Sequence, residues 1–141
     1  MSSIEFLTED ISFALPDEKS VSDWLKTVAN KEGKNISTLT YIFCSDEYLL
    51  AINKEYLKHN YYTDIITFDN SISDEGILGD IFISIDRVKE NASEFNEPIE
   101  RELNRVIVHG LLHLCGYKDK TETEQNVMRQ REDAYISLRL N

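Results

Sequence analysis

The sequence predicts an α+β domain, a small mixed sheet of about four strands packed with about five helices. Three observations predict it. Short runs rich in β-branched and aromatic residues alternate with segments whose apolar residues recur at helical spacing. Two of the β runs, Thr63–Phe68 and Gly79–Ile85, are separated only by the polar stretch Asp69–Gly76, which suits an antiparallel pair. One helical segment, opening near Pro98, is more apolar than the rest and belongs at the centre of the molecule.

In chain order, Ile4–Phe13 reads as an edge strand followed by a loop. Over Asp17–Lys31, Val21, Trp24, Leu25 and Val28 fall on one helical face, and Gly33 stops that helix. Ser37–Cys44 is a strand by its β-branched and aromatic content. Ser45 or Asp46 caps a second helix carrying Leu49, Leu50, Ile52, Tyr56 and Leu57. After the Thr63–Phe68 and Gly79–Ile85 strands, Asp86 caps a third helix running to about Phe95. Pro98 fits the first turn of a fourth, whose core face is Ile99, Leu103, Val106, Ile107, Leu111 and Leu114. Thr121-Glu-Thr-Glu124 is a capping-box pattern opening a fifth helix, with Val127, Met128, Tyr135, Ile136 and Leu138 as its apolar positions.

No repeat, low-complexity tract or linker divides the 141 residues, so the expectation is one domain over 1–141. With 41% apolar and 29% charged residues the chain is globular rather than disordered. No apolar run approaches the ~20 residues that span a bilayer, and the first residues lack a secretory pattern, so no membrane role and a cytoplasmic location are expected. Cys44 and Cys115 lack metal or redox spacing and read as free thiols. The net charge of −11, from 26 acidic against 15 basic residues, is awkward for a nucleic-acid binder. Such a role needs a local basic patch, a metal, or a partner protein that supplies the attraction; Lys54, Lys58, Arg87, Lys89, Lys118 and Lys120 are the candidates for a patch.

The chemistry concentrates in His109-Gly-Leu-Leu-His113-Leu-Cys-Gly116-Tyr-Lys-Asp119. Histidines four apart on a helix stack on one face, and both imidazoles reach one metal ion at about 2.0–2.1 Å. Gly116 turns the chain so that Asp119 offers a third ligand. Three protein ligands with one open position describe a catalytic zinc site better than a structural one, although another divalent metal fits the same donors. Zinc peptidases with His-x-x-x-His place a glutamate after the first histidine as general base; here that residue is Gly110, which suggests close backbone approach instead. His59 is a competitor for the third metal position, and Asp64 and Asp80 are candidates to orient a ligating histidine through its second nitrogen.

These blocks resemble the YbeY family, single-strand-specific endoribonucleases and rRNA maturation factors of bacteria. The family's His-Gly-x-Leu-His-x-x-Gly-Tyr-Asp-His is matched by His109, Gly110, Leu112, His113, Gly116 and Tyr117. Asn53, Tyr56, Thr63, Asp64 and Phe68 match its segment ending Thr-Asp-Val-Leu-Ser-Phe, and Leu78-Gly79-Asp80-Ile81 its Leu-Gly-Asp strand. The resemblance implies a metal-dependent ribonuclease acting on rRNA precursors, in the maturation of the small-subunit RNA 3′ end and in ribosome quality control, with the ribosome or its proteins as partners. Two regions depart from the family. Its third metal histidine falls on Asp119 and the acid before it on Lys118, while Leu57 stands where the family has an arginine proposed to act on phosphate. Lys58 or His59 is the nearest source of positive charge to replace that arginine, without its bidentate fork. The alternatives are a ribosome-associated binding protein with a structural metal and, with less support, a zinc peptidase.

Overall fold

The computed structural model describes residues 2–72 and 75–140, so residues 73 and 74 of the expected Asp69–Gly76 loop lie outside the described residues. Among the described residues, four strands and five helices follow one another as β1 (Ser3–Thr8), α1 (Glu18–Lys31), β2 (Ile36–Cys44), α2 (Asp46–Leu57), β3 (Ile65–Asp69), β4 (Ile77–Ser84), α3 (Ile85–Glu94), α4 (Ile99–Leu114) and α5 (Glu122–Leu140). The sheet runs in the order β1-β2-β4-β3. β1 and β4 lie parallel to β2 on either side, and β3 closes one edge antiparallel to β4. This is the mixed sheet and α+β class that the sequence predicts. No helix among the described residues is long and apolar enough to cross a membrane.

Alternation along the strands separates two apolar layers. Leu39, Tyr41 and Phe43 of β2 and Ile77, Ile81 and Ile83 of β4 join Val21, Leu25 and Val28 of α1 and Val106, Ile107 and Leu111 of α4 in the main core. The opposite face, Cys44, Ile66, Phe68 and Phe82, packs under Leu49 and Ile52 of α2 in a smaller cluster. Asp80 lies between Gly79 and Ile81, so its side chain belongs to the α2 face.

Helix α4 sits close to the sheet because two glycines allow it. A Cβ on Gly110 would meet Ile81 Cδ1 at 2.9 Å and Ile65 Cδ1 at 3.0 Å, and one on Gly79 would meet Phe68 O at 2.8 Å and Leu114 Cδ1 at 3.0 Å. The close approach suggested by Gly110 is therefore to the sheet itself. The Tyr41 hydroxyl donates to Ile107 O at 2.7 Å, a buried tie between β2 and the middle of α4.

Several boundaries differ from expectation. Thr63 and Asp64 precede β3, although Ser84 N–H still donates to Asp64 O at 3.0 Å and begins the ladder there. Ser84 rather than Asp86 caps α3, its hydroxyl accepting from Arg87 N–H, while Asp86 accepts from Asp46 N–H at 2.9 Å. Pro98 is the cap of α4 rather than part of its first turn. On α5, Val127 and Leu138 are exposed and the buried positions are Met128, Glu132, Tyr135 and Ile136. Both cysteines are free, and burial pushes the Cys44 thiol up to about 12 and that of Cys115 to about 11.

Candidate metal centre

The corner at the end of α4 is built by local backbone chemistry. Gly116, at φ 111°, lets the chain reverse. Gly116 N–H donates to His113 O at 3.0 Å and Tyr117 N–H to Leu112 O at 3.1 Å, satisfying carbonyls that the helix end would leave bare. The Tyr117 hydroxyl then donates to Glu32 Oε1 at 2.7 Å, fixing the returning segment to the end of α1. Gln125 Nε2 donates to Asp119 O at 3.1 Å, holding the next turn against α5.

Asp119 is thereby carried back over the histidines. Its Oδ2 lies 3.3 Å from His109 Nε2 and its Oδ1 3.4 Å from His113 Nε2. One ligand atom from each of the three residues lies within 4.8 Å of the other two. Two ligand atoms about 2.1 Å from a tetrahedral ion stand about 3.4 Å apart, and each imidazole lies at about that distance from one of the two Asp119 oxygens. The donor set, two neutral imidazoles and one carboxylate, suits zinc and also other divalent ions.

Behind the histidines lies a carboxylate outside the expected set. His109 Nδ1 is 2.7 Å from Glu132 Oε2, which leaves Nε2 to face Asp119 and His113. Glu132 is 4% exposed, and its second oxygen accepts from Arg105 Nη1 at 3.0 Å. Arg105 Nη2 donates to Asp133 Oδ1 at 2.9 Å, and its Nε lies 3.7 Å from Glu102 Oε1. A buried carboxylate held from behind in this way fixes the tautomer and ring orientation of a ligating histidine. Burial alone would lower the His109 pKa; the Glu132 hydrogen bond, with the charges of Glu132, Asp119 and Asp64, outweighs it and leaves the pKa raised.

The expected supporting residues are only partly brought together. Asp64 lines the same cleft as the three candidate ligands; burial raises its carboxyl, offset in part by His109. Asp80 does not join it. Asp80 accepts from Asn70 Nδ2 at 3.3 Å and lines a separate groove with Tyr56, Phe68 and Phe82 on the α2 face. Lys58 and His59 also stand apart from the cleft. Lys58 takes a left-handed conformation at the end of α2 and donates to Glu55 O at 3.2 Å. His59 stacks on Tyr61, whose hydroxyl is 2.9 Å from His59 Nδ1. Leu57, 40% exposed, supplies no charge at that helix end. Of the suggested basic patch, Arg87 is tied to Asp46 at 2.9 Å.

Glu132 and Arg105 are the residues that sequence reasoning missed. A signal existed for the first of them. Glu132 lies four residues after Met128 and four before Ile136, a carboxylate inside the apolar stripe of α5, and a buried acid in such a stripe needs a partner.

The cleft over this corner has a volume of about 640 Å³. Its walls are the start of β3, the end of α3, the outer face of α4 and the first turns of α5, with Arg129, Asn126 and Phe95 at its margins.

Comparison with known proteins places this arrangement in a family. The family described as Endoribonuclease YbeY matches residues 3–139. An endoribonuclease YbeY of Cytophaga hutchinsonii is 56% identical over 136 residues, covering 96% of this chain and 95% of its own. The Flavobacterium psychrophilum protein of the same name is 49% identical over 129 residues, covering 92% and 91%. A solution structure of a Thermotoga maritima protein superposes with a TM-score of 0.64 at 27% identity, covering 95% of this chain and 87% of that one. The chain therefore belongs to the YbeY endoribonuclease family.

Proposed function

We propose that this chain, acting as one domain over 1–141, is a metal-dependent endoribonuclease that cleaves single-stranded RNA in the cleft over α4. His109, His113 and Asp119 would hold one divalent ion, with zinc the first choice from the donor set. The observation that carries this reading is the pair of imidazole–carboxylate spacings, 3.3 and 3.4 Å, backed by Glu132 on His109 Nδ1. When bound, the ion polarises a phosphoryl oxygen and lowers the pKa of a water. The chain's own residues do the remaining work. Glu132 holds the His109 tautomer with Nε2 facing the cleft, and Arg105 holds Glu132 in place. Asp119, in place of a neutral imidazole, brings one negative charge and so makes the ion a weaker electrophile.

The family motifs support rRNA precursors as the substrate, at the small-subunit 3′ end, and a cytoplasmic setting goes with that reading. A net charge of −11 favours docking on basic ribosomal proteins, which would deliver the RNA to a surface that does not attract it over long range. Proteolysis is disfavoured because Gly110 leaves no carboxylate beside the first histidine.

Elemental analysis of the purified protein, paired with cleavage of single-stranded RNA with and without chelator, tests the proposal. About one bound divalent ion per chain and cleavage abolished by chelator are expected. His113→Ala and Asp119→Ala should each lose both. Metal content that survives in both variants would overturn the ligand assignment. Metal whose removal unfolds the chain, in a protein that does not cleave RNA when loaded, would favour a structural ion in a binding protein.

A further inference from the structure

The cleft is poor in available positive charge for a site that must admit a polyanion. Asp64, Glu102, Asp119 and Glu132 line it, against Arg105 and Arg129. Arg105 is consumed: Glu132 and Asp133 accept from it at 3.0 and 2.9 Å, and Glu102 lies 3.7 Å from its Nε. The position where the family resemblance expects a phosphate-directed arginine is Leu57, and neighbouring Lys58 and His59 do not line the cleft. Arg129 remains. It projects from the exposed side of α5 beside the cleft, forms no ion pair among the described residues, and its charge is felt by Glu102.

A second residue at the margin fits a different part of the same ligand. Phe95 is 55% exposed, a large ring left in water, and it lines the cleft from the end of α3. Its backbone is not loose. Phe95 N–H donates to Asn91 O at 2.9 Å, Asn96 adopts φ 55°, and Glu97 N–H donates to Ala92 O at 2.8 Å, closing the helix end. An exposed aromatic ring on a hydrogen-bonded helix end and an unpaired arginine lining one cleft are the combination that single-stranded nucleic acid binds, since every unpaired base offers a face and every step a phosphate.

We infer that Arg129 and Phe95 grip the strand entering the cleft, Arg129 binding a backbone phosphate and Phe95 stacking on an unpaired base of the same strand. The inference rests on the endoribonuclease reading above and assigns residues to its substrate. The arginine fork takes two phosphate oxygens at once. The stacking contact works only on unpaired bases, because a duplex keeps their faces covered. Selection of single strands then follows from the margin of the cleft rather than from the metal corner.

The test measures kcat and KM of the metal-loaded protein on a single-stranded oligouridylate over a range of salt concentrations. Metal content and the unfolding midpoint are followed in each variant. Arg129→Ala is expected to raise KM about tenfold with little change in kcat, and to flatten the dependence of log kcat/KM on log salt by about 0.7, the loss of one phosphate contact. Arg129→Lys should restore most of that slope. Phe95→Ala should raise KM by a similar factor at unchanged slope, with Phe95→Trp restoring it. Lys26→Ala, on exposed α1 surface, is the control and should match the parent. A parent that cleaves while Arg129→Ala keeps both its KM and its salt slope overturns this inference and leaves the proposed function standing. So does a loss confined to kcat. A metal-loaded parent that cleaves no single-stranded RNA overturns the proposed function itself.

Discussion

The seam between α4 and α5 and the far end of α2 each present a histidine with one ring nitrogen already bonded. In the seam His109 Nδ1 meets Glu132 Oε2 at 2.7 Å; beyond α2, His59 Nδ1 meets the Tyr61 hydroxyl at 2.9 Å. The difference lies behind the partner. Glu132 is buried and anchored by Arg105, which is anchored in turn by Asp133, whereas Tyr61 is 56% exposed. The free nitrogen of His109 therefore has a fixed direction, and Asp119 and His113 converge on it. Tyr61 gives His59 a neighbour without a buried carboxylate, and neither residue lines the cleft. A histidine becomes a site through the rigidity of what it leans on.

The largest expected effect breaks the comparison outright. His109→Ala and His113→Ala should each lose metal and ribonuclease activity by more than the ~10–100-fold typical of losing a supporting residue, while His59→Ala leaves both unchanged. Metal content and cleavage rate of the three variants decide the matter. Glu132→Gln comes next. It keeps the shape but removes the charge behind His109, and a loss of about 10–100-fold in metal affinity or activity is expected. An equal effect from Asp80→Asn, on the opposite face of the sheet, would contradict the arrangement described.

Smaller effects sharpen the same contrast in stability. Gly110→Ala puts a methyl group 2.9 Å from Ile81 Cδ1. Overpacking of that kind costs about 1–3 kcal/mol, of which helix propensity returns up to about 1. A net loss of about 1–2 kcal/mol should appear in denaturant unfolding. The smallest effect depends on pH. Burial holds the Glu102 carboxyl above its ordinary 4.5, and Arg105 offsets this only in part. The fold thus favours the protonated form: the penalty is absent below 4.5 and complete above the raised value. Glu102→Gln should raise the unfolding midpoint at pH 7, and the advantage should shrink as pH falls towards about 4.5. An advantage that grew on acidification would reverse the sign.

The architecture was legible because its signals are periodic and local. Apolar spacing located every helix, and the short polar stretch before β4 gave the antiparallel β3–β4 pair. The misplacements came from competition between adjacent polar groups: Ser84 and Asp86 both suit a cap, and packing gives the cap to Ser84 while Asp86 turns to Asp46. The convergence of His109, His113 and Asp119 was equally readable, since the three are related by a helix and one glycine turn. Asp64 and Asp80 were not separable from sequence. Each sits in or beside a strand, and which face its side chain takes matters only once α4 is known to cover the Ile81 side. Glu132 was hidden because its partner is 23 residues away on another helix, joined by tertiary packing alone.

The reversal at Gly116 has a consequence for how the corner assembles. His109 and Asp119 are ten residues apart in the chain, and the turn at Gly116 brings their side chains together. Closing so short a loop costs little chain entropy compared with the long crossovers that the parallel β1–β2–β4 pairings require. Most of the ordering needed for the three donors is done by forming the end of α4, so an ion bound as proposed would work as a clasp on that helix terminus. Glu132 joins from a distance, only when α5 docks. Loading of the corner and completion of its support are thus separable events, one local in the chain and one dependent on the finished fold.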